Sequence, residues 1–336
     1  MGHFIGMPAD VPLAVTVRGD LAENEHRGRW CVVSADGGRV LASGGDASAP
    51  AYLRSTGKPL QAIEPLLAGV AEAFGWEERH LALLGASQRG LPEQVAALEE
   101  MRKRAGIDEE ALVFGPVAPA YAKARDEWAR AGAAPRRIYH TCAGKHLGML
   151  AWCKLEGWPL EGYADPAHPA QRRIVARVRQ WAGAESGALG RDGCGVPAPA
   201  APLSGIALAY ARLACPDAAP DARAAEAAGR VALAMGRHPE LVEGPGRLAS
   251  LLLADPNFVA KSGAQGLFAF GLRRERLGVA VHLSDGSEAA WGPVVLALLE
   301  RFGGASEQTM ARLRDRFPRV YRNDAGDEAG YWEVLL

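Results

Sequence analysis

The chain has 336 residues, of which 49% are hydrophobic and 23% charged, and its formal net charge is −1. This balance argues against a nucleic-acid-binding protein, which would carry a basic surface, while the length allows a large core. No apolar run approaches the roughly 18 residues of a membrane span, and residues 1–10 lack the pattern of a signal peptide. The five cysteines are odd in number and form no Cys-x-x-Cys pair, which favours a reduced, cytoplasmic protein.

The start of the chain predicts short strands at residues 12–18, 29–34 and 39–43, with a glycine-rich hairpin turn at 36–38. A helix is expected from Lys58 to about Phe74, because apolar residues recur there at helical spacing. An apolar stretch then leads into Ser87, and an amphipathic helix is expected over residues 91–105. Ser87 is either an ordinary turn serine or a second hydroxyl for chemistry.

Ser55 and Lys58 stand three residues apart at the start of the first predicted helix, so both lie on one side of it. Pro59 fits the first turn of a helix. A serine hydroxyl needs an adjacent base, and a lysine serves as that base only when burial or nearby positive charge lowers its pKa. The alternative is a plain helix start with a solvated lysine, since Ser-x-x-Lys alone is a weak pattern.

Lysine is unusually rare, supplying only six of the 38 basic residues. Arginine carries the plain positive charges, and unlike arginine a lysine can lose its proton in a protein. Lys58, Lys145 and Lys261 each lie beside glycine and a hydroxyl or thiol residue. This placement is either coincidence or a sign that three amines take part in chemistry.

Two cysteines lie in segments that do not suit a core. A helix predicted over residues 147–155 places Cys142, Lys145 and His146 on one face of its entrance, where a thiolate would be a nucleophile or a metal ligand. Cys194 lies between two glycines, which permit close backbone approach. Both thiols are candidate zinc ligands, completed by an imidazole, a neutral lysine or water; the alternative is two thiols without metal.

The second half of the chain predicts alanine-rich helices over 203–236, strands at 267–272 and 277–283, an apolar helix over 288–302 and edge strands at 319–323 and 331–335. Strands at both chain ends with helices between them predict a mixed α/β fold of the α+β type, an antiparallel sheet packed with helices. We expect one catalytic unit over residues 1–336. Its sheet lobe would comprise about 12–50 and 258–336, and its helical lobe about 51–257.

The order of Ser55-x-x-Lys58, Ser87 and Lys261-Ser262-Gly263 resembles the motifs of serine β-lactamases and penicillin-binding proteins. Their Ser-Asp-Asn motif is absent, because Gln88 follows Ser87. The resemblance implies their fold, with an antiparallel sheet and surrounding helices.

The cysteine segments make the chain similar to a different group, the Rhizobium etli-type L-asparaginases, over about residues 12 to 325. Five segments carry this resemblance: Arg54-Ser55-x-x-Lys58-Pro59, Gly85-Ala86-Ser87, Cys142-x-Gly144-Lys145-His146, Asp192-Gly193-Cys194-Gly195 and Ala260-Lys261-x-Gly263. The resemblance implies a cytoplasmic homodimer with the β-lactamase-like fold, which hydrolyses L-asparagine to L-aspartate and ammonia.

The same resemblance implies a role for each matching residue. Ser55 would be the nucleophile with Lys58 as its base, and Ser87 with Lys261 would form a second Ser–Lys pair. The remaining matches fall into two sets, a zinc site of Cys142, Lys145 and Cys194, and a substrate site of Arg54, His146 and Asp192. Two departures stand out: Gln88 replaces a histidine, which bears on substrate fit, and Ala143 replaces a serine beside the metal site.

The mechanism expected from these roles is an acyl-enzyme formed on Ser55. Lys261 would supply positive charge that lowers the pKa of Lys58 and stabilises the oxyanion, while Ser87 relays a proton or shares the nucleophilic role. Two other functions stay open. One is a glutaminase or a β-lactam-reactive enzyme of the same fold, and the other is a non-catalytic zinc-binding scaffold.

Overall fold

The computed structural model describes residues 8–336, and its central feature is an antiparallel sheet built from both ends of the chain. The strands are β1 (Val11–Arg18), β2 (Leu21–Ser34), β3 (Val40–Gly44), β4 (Pro50–Tyr52), β5 (Leu189–Arg191), β6 (Pro197–Pro202), β7 (Phe258–Ser262), β8 (Leu267–Leu272), β9 (Leu277–Leu283), β10 (Val320–Arg322) and β11 (Glu328–Val334). The main sheet has the order β10-β11-β1-β2-β9-β8-β7. Strand β3 also pairs with β2, and β4, β6 and β5 form a small second sheet.

Helices fill the chain between these strands and follow β9. They are α1 (Lys58–Gln61), α2 (Ile63–Leu67), α3 (Val70–Ala73), α4 (Glu78–Leu84), α5 (Pro92–Arg104), α6 (Ala122–Arg130), α7 (Ala143–Glu156), α8 (Pro169–Trp181), α9 (Leu203–Ala214), α10 (Ala222–Arg237), α11 (Pro239–Glu243), α12 (Leu248–Leu253), α13 (Trp291–Phe302) and α14 (Glu307–Arg316). Over residues 8–336 we find no helix with the length and apolar character needed to cross a bilayer.

Glycines bring helix α9 unusually close to the main sheet. A Cβ atom added at Gly278 would lie 1.8 Å from the carbonyl oxygen of Ala207, and one at Gly271 would lie 2.2 Å from that of Tyr210. Side chains alternate along a strand, so Phe268 lies on the opposite face of β8 from Gly271. There it packs against Trp291 of α13, with ring centroids 5.6 Å apart. The sheet is therefore covered by α9 on one face and α13 on the other.

The close approach of α9 leads to a stability prediction. Gly278→Ala should lower the free energy of unfolding by about 3 kcal/mol, because the backbone of α9 must move to admit the methyl group. Gly229→Ala is the matched control, since a Cβ there meets no atom within 4 Å and should stabilise α10 by about 0.5–1 kcal/mol. Urea unfolding measures both changes. Equal stability of the two variants would contradict the packing described here.

The predicted fold class is confirmed: the protein combines helices with an antiparallel sheet that draws strands from both chain ends. Strands β8 and β9 have the predicted bounds. The predicted helix over residues 58–74 is wrong in its continuity, because it is broken into α1, α2 and α3, with Gly69 in the left-handed region at φ 84°. Strand β7 was not predicted, because the buried polar residues Lys261 and Ser262 obscure its apolar pattern.

All five cysteines are buried and free of disulfide bonds.

Candidate active site

Ser55 lies in a short 3-10 turn, Arg54–Gly57, that leads directly into α1. Arg54 adopts φ 47°, a left-handed conformation that is strained for a residue other than glycine and is typical of functional sites. Two contacts hold the turn: Arg54 Nε donates to Asp192 Oδ1 at 2.8 Å, and Tyr210 Oη donates to the carbonyl of Thr56 at 2.8 Å. The half-buried Ser55 side chain makes no hydrogen bond to the residues the structure describes, so its hydroxyl is free for a ligand.

Lys58 is fully buried and is surrounded by three oxygen atoms. Its Nζ lies 2.8 Å from the carbonyl of Ala86, 3.1 Å from that of Thr141 and 2.9 Å from Ser87 Oγ. Carbonyls only accept hydrogen bonds, whereas a hydroxyl can also donate. A neutral Lys58 amine would therefore donate to both carbonyls and direct its lone pair at the Ser87 hydroxyl, which is the arrangement a general base needs.

Burial is the main cause that lowers the pKa of Lys58 below its usual value. Cys142 opposes this shift, and the neighbouring cation that adds to it is Lys145. The two lysines also interact, since Lys58 lowers the pKa of Lys261, and the expected effect of Lys261 on Lys58 stays a prediction. A desolvated ammonium without a full counter-charge favours the neutral amine.

Lys261 has a different partner from the one expected. The predicted Ser87–Lys261 pair is wrong in this structure, because Lys261 Nζ forms a buried ion pair with Glu243 instead. Glu243 Oε1 also accepts hydrogen bonds from Ser262 N at 3.0 Å and Ser262 Oγ at 2.6 Å. Burial lowers the pKa of Lys261 to about 8, with Glu243 opposing the shift. The amine is therefore tied to a carboxylate, while Ser87 is held by Lys58.

Ser55 and Ser87 open into the same cavity, which has a volume of about 120 Å³. Thr141 and Ser262 add further polar groups to its wall, and the backbone of Gly263 completes that side. The cavity is also lined by four charged side chains, Arg89, Glu243, Arg247 and Glu288. The arrangement combines two hydroxyls, a buried amine behind one of them and charges of both signs around a small space.

The residues expected to bind zinc are buried close together. The hydrogen bond with Cys194 is the main cause that lowers the pKa of the Cys142 thiol, and Lys58 and Lys145 add to it against the effect of burial. Lys145 Nζ lies 3.6 Å from Asp192 Oδ2 and has no hydrogen-bond partner among the described residues. Two thiols beside an orphaned buried amine fit a soft divalent ion.

Carboxylates and imidazoles do not complete this site. Within residues 8–336 no group of three or more His, Cys, Asp or Glu side chains is placed to hold a metal ion. A metal here would therefore depend on Lys145 as its third ligand. Burial alone would lower the pKa of Lys145, but Cys142, Cys194 and Asp192 raise it above the usual value, so metal binding must displace a proton.

Two expected substrate contacts are engaged with the protein itself. Asp192 binds Arg54 and approaches Lys145, as described above. His146 is fully buried, with Nδ1 2.6 Å from Tyr163 Oη, and its Nε2 has no partner among the described residues. Burial, together with the nearby Lys145, lowers the pKa of His146 well below its usual value, so the imidazole is neutral. Asp192 and His146 lie beside the thiols, with Cys194 Sγ 3.5 Å from Asp192 Oδ2, and neither they nor Arg54 line the cavity.

Gln88 has a structural role that the sequence did not indicate. It is fully buried, its Nε2 donates to the carbonyls of Ile138 and His140, and its Oε1 accepts from the N–H of Gly90 at 2.6 Å. The side chain thus fixes the segment after Ser87 instead of facing the cavity. Substrate fit is therefore not set by direct contact with Gln88.

Glu243, Arg247 and Glu288 are cavity residues that sequence reasoning missed, whereas Ser262 belongs to the Lys261-Ser262-Gly263 motif. Glu243 ends the short helix α11 before Gly244, and nothing in that local pattern marks a buried carboxylate. The one available signal was the rarity of lysine, since a buried Lys261 requires a counter-charge.

The family model described as L-asparaginase II matches residues 14–334, which is nearly the whole chain. The chain belongs to the L-asparaginase II family. It is therefore an asparaginase-type amidohydrolase, which confirms the family resemblance of the five sequence segments.

No curated protein matches the chain. Solved structures similar to it include a β-lactamase from Mycobacterium bovis, with 14% identity, a TM-score of 0.40 and coverage of 82% of this chain and 94% of that one. A structure named Mglu has 20% identity and a TM-score of 0.47 and covers 88% and 74% of the two chains. Simvastatin synthase from Aspergillus terreus has 13% identity and a TM-score of 0.36, with 86% and 93% covered. Similarity at this level says nothing about the substrate.

Proposed function

We propose that the protein hydrolyses L-asparagine to L-aspartate and ammonia, with Ser55 as nucleophile, Ser87 as proton carrier and Lys58 as base. The observation that carries the proposal is the contact between buried Lys58 Nζ and Ser87 Oγ at 2.9 Å, in the wall of a cavity that also exposes Ser55. A serine whose proton has a route to a neutral amine is an activated nucleophile. The small cavity suits a short amide better than a bulky one.

In the first step, Ser55 Oγ attacks the side-chain amide carbon, and its proton passes through Ser87 to Lys58. The new C–O bond converts the carbonyl into an oxyanion. When the oxyanion collapses, the C–N bond breaks, and the proton held by Lys58 returns through Ser87 to the leaving nitrogen as ammonia. Water then attacks the acyl-enzyme by the same route and releases aspartate, which restores Ser55.

Cys142, Cys194 and a neutral Lys145 are the residues that would hold Zn²⁺. When bound, the ion supplies positive charge that orients the polar groups around it. The proton route above uses none of these three side chains. Asp192 links the two regions, because it contacts both Lys145 and Arg54, the residue before Ser55.

Ammonia release from L-asparagine tests the proposed function. We expect purified protein to release ammonia and aspartate in equal amounts, at a higher kcat/KM than with L-glutamine, and to leave β-lactams intact. A chelator should lower the rate only in part, because the proton route contains no metal ligand. Absence of ammonia release from every amide, with metal bound stoichiometrically, would support the scaffold alternative instead.

A further inference from the structure

Four charged side chains line the cavity that holds Ser55 and Ser87. Two of them satisfy each other, because Arg247 Nη2 lies 2.7 Å from Glu288 Oε2. The other two are less fully satisfied, because Arg89 has no ion pair and Glu243 Oε2 accepts no hydrogen bond among the described residues. Their unused groups decide which ligand the cavity can accept.

Arg89 is a half-buried guanidinium that forms no ion pair within the described part of the chain. Its side chain donates one long hydrogen bond, from Nη2 to the carbonyl of Ala120 at 3.3 Å. Burial is the main cause that lowers the pKa of Arg89, and Arg247 adds to it, while Glu243 and Glu288 oppose the shift. Burial therefore disfavours the positive charge. An anion would relieve this, and the planar fork of arginine matches a carboxylate.

Glu243 offers the opposite charge in the same wall. Its accepted hydrogen bonds, from Lys261 Nζ, Ser262 N and Ser262 Oγ, all go to Oε1. Oε2 accepts none from residues 8–336, although the side chain is 97% buried. A partly satisfied buried carboxylate facing a cavity favours a ligand that donates hydrogen bonds.

The position of Arg89 is fixed relative to the proposed chemistry. Arg89 follows Ser87 by two residues, and Gln88 between them anchors the segment to the carbonyls of Ile138 and His140. The backbone N–H of Arg89 donates to Gln94 Oε1 at 2.8 Å. A guanidinium on such a rigid segment can set the distance between a charged ligand group and the reacting carbonyl.

We infer that Arg89 binds the α-carboxylate and Glu243 Oε2 the α-ammonium group of the substrate, so that only the ω-amide of a free, zwitterionic amino acid is accepted. An amino acid carries both charges on one carbon, and the cavity presents a guanidinium without an ion pair and a carboxylate oxygen without a hydrogen bond among the described residues. Asparagine within a peptide lacks both charges. The inference rests on the proposed function and narrows its substrate class.

The test combines substitution of Arg89 with truncation of the substrate. Arg89→Gln should lower kcat/KM for L-asparagine by about 10- to 100-fold, the effect of one charge-assisted contact. With 3-aminopropanamide, which lacks the carboxylate, the loss should be at least tenfold smaller. Succinamate, which keeps the carboxylate but lacks the ammonium group, should show the full loss. Arg89→Lys should restore part of it, and exposed Arg125 gives the matched control Arg125→Gln.

Binding of L-aspartate, measured by calorimetry, separates the inference from the proposed function. Arg89→Gln should weaken this binding about 10- to 100-fold. Equal losses with L-asparagine and 3-aminopropanamide, or unchanged aspartate binding, would overturn the role of Arg89 while ammonia release still supported the function. If aspartate binding depends on Arg89 but the protein hydrolyses no amide, the result would support the binding role of Arg89 and overturn the proposed function.

Discussion

Ser55→Ala should lower ammonia release from L-asparagine by about 1,000-fold or more, because it removes the atom that forms the acyl-enzyme. The variant should fold normally, since the Ser55 side chain makes no hydrogen bond to the described residues. Steady-state ammonia assays measure the loss. Ser204→Ala is the control, because Ser204 is half-buried on α9 and does not line the cavity; its activity should stay within twofold of wild type.

The identity of the nucleophile is decided by trapping the intermediate. Ser87→Ala should also slow turnover strongly, because it interrupts the route from Ser55 to Lys58 Nζ. Mass spectrometry of acid-quenched wild-type protein should find the aspartyl ester on the peptide that contains Ser55. An ester on the Ser87 peptide would reverse the two roles, since Ser87 is the hydroxyl in direct contact with the base.

Lys261→Met should lower the free energy of unfolding by about 3–5 kcal/mol, because it leaves the Glu243 carboxylate buried without its counter-charge. The pair is almost fully excluded from solvent, with side-chain exposures of 0% and 3%. The double variant Lys261→Met/Glu243→Gln should recover most of the loss, since a neutral amide needs no cation. Urea unfolding at neutral pH measures the free energy of unfolding of the wild type, the single variant and the double variant.

Lys154→Met is the control for this second prediction. Among the described residues, the exposed side chain of Lys154 bonds only the carbonyl of Gly106, at 2.8 Å, so the change should stay within about 1 kcal/mol. If Lys261→Met unfolds at the same urea concentration as Lys154→Met, the Glu243–Lys261 pair contributes little and Lys261 must be explained by chemistry instead.

The local sequence was sufficient to predict those strands and helices that depend only on residues near to one another in the chain. Strands β8 and β9 have the predicted bounds, because a short continuous apolar run between turn residues specifies a buried strand without distant information. The helix entrance before residue 147 was also predicted, although α7 begins earlier, at Ala143. The same local pattern missed β7, since its two buried polar residues are tolerated only through partners from elsewhere in the chain.

The sequence by itself determined the fold class and the family, and its rare lysines and glycine-flanked thiols marked the candidate residues for chemistry. Only the tertiary structure decided which of these groups meet. Lys58 bonds Ser87, 29 residues away, and Lys261 bonds Glu243, 18 residues away, rather than following the predicted pairs. Such contacts depend on how helices and strands pack, which spacing along the chain does not encode. Burial makes these two contacts important, because a lysine withdrawn from water is stabilised by the acceptors that the fold places beside it.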